Sequence, residues 1–207
     1  MHEELISKLI ENKDKKLPGL DAQQKMMLHR DPAYNPHINN ARDSAVLIHL
    51  YPNSLNQTEV IFIKRTLLPG SSHSGQIAFP GGKKEKTDSD LKETALREAW
   101  EEIHILEKET KIIRELSPVY IPVSNFKIHP FLAFGKNKPV NLKPDPLEVE
   151  LILNAELKNL FQNIATETIE VFPQIKMKVN AYKHRSHIIW GATAMILAEL
   201  EAIIETL

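Results

Sequence analysis

The segment that most restricts this chain is GGKKEKTDSDLKETALREAWEEIHI, from Gly81 to Ile105, where paired glycines lead into a helix carrying Glu98, Glu101 and Glu102. Leu91, Ala95, Leu96, Ala99 and Ile103 recur at helical spacing. A step of about 100° per residue places them on one arc and the three glutamates on the neighbouring arc. The acids therefore border the buried stripe instead of facing open solvent. Like charges three or four residues apart cost an isolated helix roughly 0.2–0.5 kcal/mol per pair. A helix kept only for solubility would alternate signs, so something has to compensate these carboxylates. Three carboxylates plus a backbone oxygen, approached through Gly81 and Gly82, make a hard, oxygen-rich site that suits Mg²⁺ or Mn²⁺ better than Zn²⁺. The alternative is a solvated acidic face, the common case for a helix with two adjacent glutamates. The preceding FPGG and the Arg97–Glu98 pair argue against it here.

The rest of the chain frames that helix. Thr87, Ser89 and Asp90 are plausible N-caps, and Asp90 with Glu93 has the spacing of a capping box. At the N-terminus, HEELISKLIENK spaces Leu5, Ile6, Leu9 and Ile10 as a short amphipathic helix, and Pro18, Gly19, Pro32 and Pro36 interrupt the segment after it. Residues 1–40 are expected to form a helical arm packed on a core of residues 41–207. Apolar, β-branched runs at 44–51 and 59–65 flank PNSLNQ and read as a hairpin, and QIAF as a short strand ending at Pro80. Further strands are expected near 112–121, 130–134, 148–153, 175–181 and 186–190, and a last helix over 192–205. Together these predict an α/β (α+β) fold, a mixed β-sheet sandwiched between helices.

Charge and composition exclude several classes. Lys and Arg number 26 against 27 Asp and Glu, so nothing points to nucleic acid or an anionic membrane as partner. The absence of cysteine excludes disulfides, thiolate metal sites and a cysteine nucleophile, and fits a reducing cytosol. MHEELISKLIE is acidic without a long apolar core, unlike a secretory signal. HIIWGATAMILA is too short to span a bilayer. A soluble, cytoplasmic protein is the expectation.

Gly82, Arg97, Glu98, Ala99, Glu101, Glu102 and Ile105 resemble the Nudix box, G-x5-E-x7-R-E-U-x-E-E-x-G-U with U apolar. The stretch from Gly82 to Arg97 is one residue longer than that pattern, with Asp88, Ser89 and Asp90 around the place of its first glutamate, and His104 stands where the pattern has glycine. HSGQIAFPGG, the lengthened box and TALREAWEE are similar to the coenzyme A pyrophosphatase branch of Nudix hydrolases. The branch's upstream stretch, resembling LLTxR, is matched by IFIKRT with Lys64 and Arg65, and its glycine before FPGG by Gly75. An arginine that the branch carries between them is absent. IIWGATAMILAEL resembles the branch's C-terminal strand-to-helix junction, so the likeness covers most of residues 40–200.

The resemblance implies a Nudix fold and hydrolysis of a diphosphate linked to a nucleoside, with Mg²⁺ or Mn²⁺ neutralising phosphate charge and acidifying water. It makes Glu98 and Glu102 the principal metal ligands, Glu101 a further ligand or base, and the Gly82 carbonyl a ligand. Arg97 would orient a glutamate and not touch substrate. Glu148, in DPLEVE, matches a glutamate–valine pair of similar sequences and is the candidate base or extra ligand. Glu150 competes with it, because strand alternation puts both on one face; exposed strand charges are the bland alternative. Lys64 and Arg65 are candidates for phosphate contacts, or else an exposed strand end. His73 and Ser74 could line the mouth of the site.

Other signals carry less. His184 and His187 are expected on opposite faces of a strand, with no acidic third ligand, so a histidine metal site is discounted. There is no P-loop and no serine elbow. The expected partner is a small-molecule nucleoside diphosphate derivative, coenzyme A-type first and ADP-ribose, a dinucleotide or a nucleoside triphosphate as alternatives. A non-catalytic Nudix-fold binding module ranks last, since it would be free to lose the glutamates that are all present. A homodimer is expected from the apolar surface of the arm and the last helix.

Overall fold

The computed structural model describes residues 1–27, 40–67, 73–172 and 175–207. Its centre is strand β1 (Arg42–Pro52), grown from the apolar run at 44–51. Alternation sends Ala45, Leu47 and Tyr51 to one face and Ile48 and Leu50 to the other, and all are fully buried. A strand buried on both sides has to be covered twice, and the remaining elements do this. Before β1 come helix α1 (His2–Glu11) and the short α2 (Leu20–Gln23). After it come β2 (Thr58–Arg65), β3 (Ile77–Ala78), β4 (Gly81–Lys83), α3 (Leu91–Ile103), β5 (Lys111–Glu115), β6 (Val119–Ile121) and β7 (Phe126–Phe134). The chain continues through β8 (Val149–Glu156), α4 (Leu157–Phe161), β9 (Ile164–Phe172), β10 (Ile175–His184), β11 (His187–Ile189) and α5 (Gly191–Glu205).

The main sheet is mixed, as predicted. β1 runs parallel to β7 and antiparallel to β2 and β4, in the order β3-β2-β1-β7-β5, with β6 on β7 and β8 on β2. The expected hairpin pairs Leu50, Tyr51 and Pro52 with Val60, Glu59 and Thr58, and further along β1 its partner is β4. That exchange brings Gly81 and Gly82 alongside Val46 and Ala45.

Helix α3 covers one face, with Ala95, Leu96, Ala99 and Ile103 packed among Ala45, Leu47, Ile61, Ile63 and Phe131. The other face carries α5, α4 and α1, whose Leu197, Leu200, Leu160, Ile6 and Leu9 cluster with Ile48, Leu50, Val60 and Phe62. The described part of the arm thus packs into the core; residues 28–39, with Pro32 and Pro36, lie outside the described residues. Among the described residues no helix is long and apolar enough to cross a membrane.

Several local expectations change. The strand expected at 112–121 is two strands separated at Leu116–Pro118, where Pro118 has no N–H to give to a ladder. The strand expected at 148–153 continues to Glu156 and runs into α4, a helix that the sequence pattern does not announce. Nor does it announce β9, IATETIEVF, which joins β10 and β11 in a separate three-stranded antiparallel sheet. The alternation of β9 is masked because threonine and glutamate fill the polar positions and its described apolar residues stay partly exposed. His184 and His187 are not on opposite faces. A tight turn with Arg185 at φ +56° folds the strand back and makes them direct cross-strand partners.

Candidate active site

The site is built where α3 crosses β4. Asp90 caps the helix, accepting the Glu93 backbone N–H at 2.7 Å. Glu93 accepts from the Ser89 N–H at 2.7 Å, one residue before the cap, so the capping box is offset. Among the three crowded residues, Asp88 is the buried one. It accepts from Arg97 at 2.8 and 3.0 Å, from Thr94 Oγ1 at 2.9 Å and from the Glu85 N–H at 2.8 Å. The Arg97 guanidinium, with these further donors, holds the Asp88 carboxyl well below the usual carboxylate range despite its burial.

Arg97, anchored by Asp88, reaches the acids. It lies 3.0 Å from Glu98 Oε1 and 2.7 Å from Glu101 Oε2, and donates to the Lys83 carbonyl at 3.2 Å. Its carboxylate partners, Asp88 first, hold its own proton above the ordinary range. The guanidinium fork thus fixes the helix edge on which Glu98 and Glu101 stand.

The glycine pair has a separate reason at each position. A Cβ on Gly81 would sit 2.3 Å from the Ala45 carbonyl oxygen, so only glycine allows β4 this close to β1. A Cβ on Gly82 would sit 2.5 Å from the Glu98 carboxyl carbon. The space that Gly82 leaves is therefore filled by a carboxylate. Lys84 donates to Asp43 and Leu47 to Pro80, so antiparallel alternation makes Ala45 and Gly82 a bonded pair as well. One lone pair of the Gly82 carbonyl belongs to β1, and the second is left over.

Glu102 is the most buried acid of the group, with 2% of its side chain exposed, against 14% for Glu98 and 54% for Glu101. It accepts the Gly81 N–H at 2.8 Å and meets Arg65 Nη1 at 3.3 Å. Burial pushes its carboxyl up to about 8; Arg65 and the Gly81 N–H oppose this, while Glu98 and Glu148 add to it. Burial also raises Glu98, against Arg97, with Glu101 and Glu148 pushing further. Glu148 stands half exposed at the start of β8, 3.6 Å from Arg65 Nη2. Glu98, Glu102 and Glu148 thus form one electrostatic cluster on the α3 face.

The expected pairing of Glu148 with Glu150 on one face does not hold. The register between β2 and β8 slips at Lys64–Arg65, where Lys64 opposes Leu151 and Arg65 opposes Val149. Glu150 is the extra residue in this bulge and binds Lys64 at 2.6 Å. Lys64 and Arg65, consecutive in β2, therefore point to opposite faces, and only Arg65 joins the acids. His73 bonds to Gln76 at 3.3 Å and Ser74 to the Thr66 carbonyl at 3.3 Å, both on the loop whose Gln76 carbonyl accepts from the Arg65 N–H.

The donor set fits a hard divalent cation. Glu98, Glu102 and Glu148 are oxygen donors, burial and the charge of Glu148 raise the proton affinity of Glu98 and Glu102, and Glu98 fills the cradle over Gly82. Among the described residues no three acidic or histidine side chains already converge as a cage. Arg65 and Arg97 hold the carboxylates instead, and a cation would draw them together.

Comparison with known proteins agrees with this architecture. Residues 41–163 match the NUDIX domain. The chain belongs to the Nudix hydrolase family. Relatives of this Nudix hydrolase include the Nudix hydrolase NudL of Pectobacterium atrosepticum, 28% identical over 85% of this chain and 89% of that protein. The mitochondrial coenzyme A diphosphatase NUDT8 of Homo sapiens is 31% identical over 60% of this chain and 53% of its own length. These relatives place the chain in the coenzyme A pyrophosphatase-like branch and make it a hydrolase of acid anhydrides. Among solved structures, the Nudix hydrolase RenU of M. smegmatis shares the fold at a TM-score of 0.56 and 13% identity, covering 81% of this chain and 88% of that one.

Asp88 is the residue that sequence reasoning did not single out. The signal was the local one, three polar residues crowding one box position, but only the buried partner of Arg97 distinguishes it from Ser89 and Asp90.

Proposed function

We propose that this protein cleaves the diphosphate bond of a nucleoside diphosphate-linked small molecule, a coenzyme A-type compound first, with Mg²⁺ or Mn²⁺. The observation that carries the reading is the pair Glu98 and Glu102 closed over Gly82 and Gly81, both carboxyl groups pushed up by burial and further by the charge of nearby Glu148. The name of the human relative, a coenzyme A diphosphatase, supports that substrate class. The absent arginine upstream of Gly75 keeps ADP-ribose, a dinucleotide or a nucleoside triphosphate as the second reading.

In this mechanism Glu98 and Glu102 would hold the cation, with Glu101 and the remaining lone pair of the Gly82 carbonyl as further donors. A bound ion neutralises phosphate oxygens and acidifies a water molecule. Arg65, next to Glu102, would meet a phosphate oxygen of the bound substrate. Glu148, half exposed beside Arg65, is the base that accepts a proton from the attacking water. Arg97 positions Glu98 and Glu101 from behind and does not touch substrate. Lys64 stands on the other face of β2, away from the diphosphate; Ser74 lines the cavity on that side, and His73 bonds to Gln76 on the same loop.

The test is purified protein with Mg²⁺ or Mn²⁺ and a panel of coenzyme A, ADP-ribose and dinucleotides, products identified by mass. Phosphopantetheine release supports the first reading. Turnover of ADP-ribose with inertness toward coenzyme A supports the second, and no metal-stimulated turnover on any of them overturns both.

A further inference from the structure

A cavity of about 660 Å³ lies on the Lys64 side of β2, opposite the acid cluster. Its walls include Lys64, Gln76, Thr168, Glu170, His187 and Trp190. Three separate parts of the chain therefore meet there: the end of β2, the turn entering β3, and the β9–β11 sheet with its junction to α5. The junction is fixed from inside, because buried Thr193 of α5 donates to the Ile77 carbonyl of β3 at 3.0 Å. This holds the start of α5, and so Trp190, against the edge of the main sheet.

We propose that this cavity receives the nucleobase of the substrate whose diphosphate is cleaved on the α3 face. The identity of that substrate rests on the proposed hydrolase function; the base-binding chemistry of the cavity does not. Continuity along the chain supports the assignment. The Arg65 N–H donates to the Gln76 carbonyl at 3.0 Å, and Gln76 lines the cavity. Lys64 and Arg65 have Cα atoms about 3.8 Å apart and opposite orientations. One ligand passing over the end of β2, which stops at Arg65, would join the acids to the cavity.

The chemistry of the walls supports it independently. Trp190 and His187 are half-buried rings, with faces on which a planar heterocycle can stack. Lys64 and Gln76 supply donors, and Gln76 and Glu170 supply acceptors, which suits the mixed donor and acceptor edge of a purine. The same residues disfavour a phosphate. Lys64, the lysine of these walls, is already paired with Glu150 at 2.6 Å. Phosphates stay with Arg65, and the uncharged base turns into the cavity.

Trp100 and Trp190 are the chain's two tryptophans, so Trp100→Phe leaves Trp190 as the reporter. In that background, adenosine monophosphate titrated without metal should change Trp190 fluorescence saturably, and inorganic phosphate should not. His187→Ala, and Thr168→Phe at an exposed wall position that tolerates change, should weaken nucleotide binding by roughly tenfold or more, the worth of one stacked ring. On the diphosphate that the native protein cleaves, both should raise KM by a similar factor with kcat within about twofold. Unchanged KM and no fluorescence response in a protein that still hydrolyses its substrate would overturn the cavity assignment and leave the hydrolase reading standing. A saturable response in a protein without turnover would do the reverse.

Discussion

Glu102 on α3 and Glu199 on α5 are both buried carboxylates, on helices that pack against opposite faces of one sheet. In both, burial raises the carboxyl above its usual range. Their neighbours differ. Glu199 accepts from the Gly19 N–H at 3.1 Å, Gln23 Nε2 at 3.1 Å and the Ser117 N–H at 3.1 Å, all neutral donors. It ties the arm and the β5–β6 connection to α5, and its hydrogen bonds are satisfied by the fold. Glu102 has one backbone donor and Arg65, and then two further carboxylates that disfavour its charge. Burial alone therefore does not separate the two acids; what sets Glu102 apart is like-charged company, which a proton or, in the proposed mechanism, a cation would relieve.

The largest expected effect separates the two at once. Glu98→Gln and Glu102→Gln should each lower turnover by about three orders of magnitude or more with folding intact, whereas Glu199→Gln should leave kcat near native. Native-like turnover in Glu102→Gln would remove the basis of the contrast.

Next comes stability. Glu199→Leu leaves the donors of Gly19, Gln23 and Ser117 without an acceptor and should cost about 2–5 kcal/mol in urea unfolding. An unchanged midpoint would mean that the arm is not held through this carboxylate.

A pH experiment sharpens the difference further. Glu102 has a folded pKa near 8, above the usual carboxylate value of about 4.5, so the native state holds a proton that the unfolded chain has released. Its contribution to stability is full below about pH 4.5 and falls as pH rises toward 8, by up to about 1.4 kcal/mol per unit. A cation needs the deprotonated form, so the rise in Tm with Mg²⁺ should be larger at pH 8 than at pH 6. Glu102→Gln should abolish that difference and Glu199→Gln should keep it.

The smallest effect concerns the end of α3. His104 adopts φ +61°, packs its ring at a tilt against Trp100 with 4.7 Å between ring centres and bonds to the Lys143 carbonyl at 3.1 Å. Relief of the left-handed strain and loss of these contacts oppose each other, each of order 1 kcal/mol. His104→Gly should therefore change stability by less than about 1 kcal/mol, and turnover by less than roughly threefold. A large loss of activity would extend the site to this corner.

How much was legible depends on range. The helix over Leu91–Ile103, its buried stripe and the acids beside it come from spacing within one turn or two, and the structure repeats them. The pairing of Gly82 with Glu98 was implied only as closeness; the contact needed β4 beside β1. Lys64 and Arg65 looked equivalent until β2 assigned them to opposite faces. Glu150 competed with Glu148 as the acid on that face until a bulge separated them. The β9 strand, with polar residues on its open side, carried too weak an alternation to be read.

By itself, then, the amino-acid order determined the family, the mixed sheet between helices and the helix edge that bears the acids, because these rest on periodicity and fixed spacing along the chain. Only the tertiary structure decided which acids are buried together, which arginine meets them and which lysine does not. Those choices are made by strand register, and register is set by pairing between segments far apart in sequence.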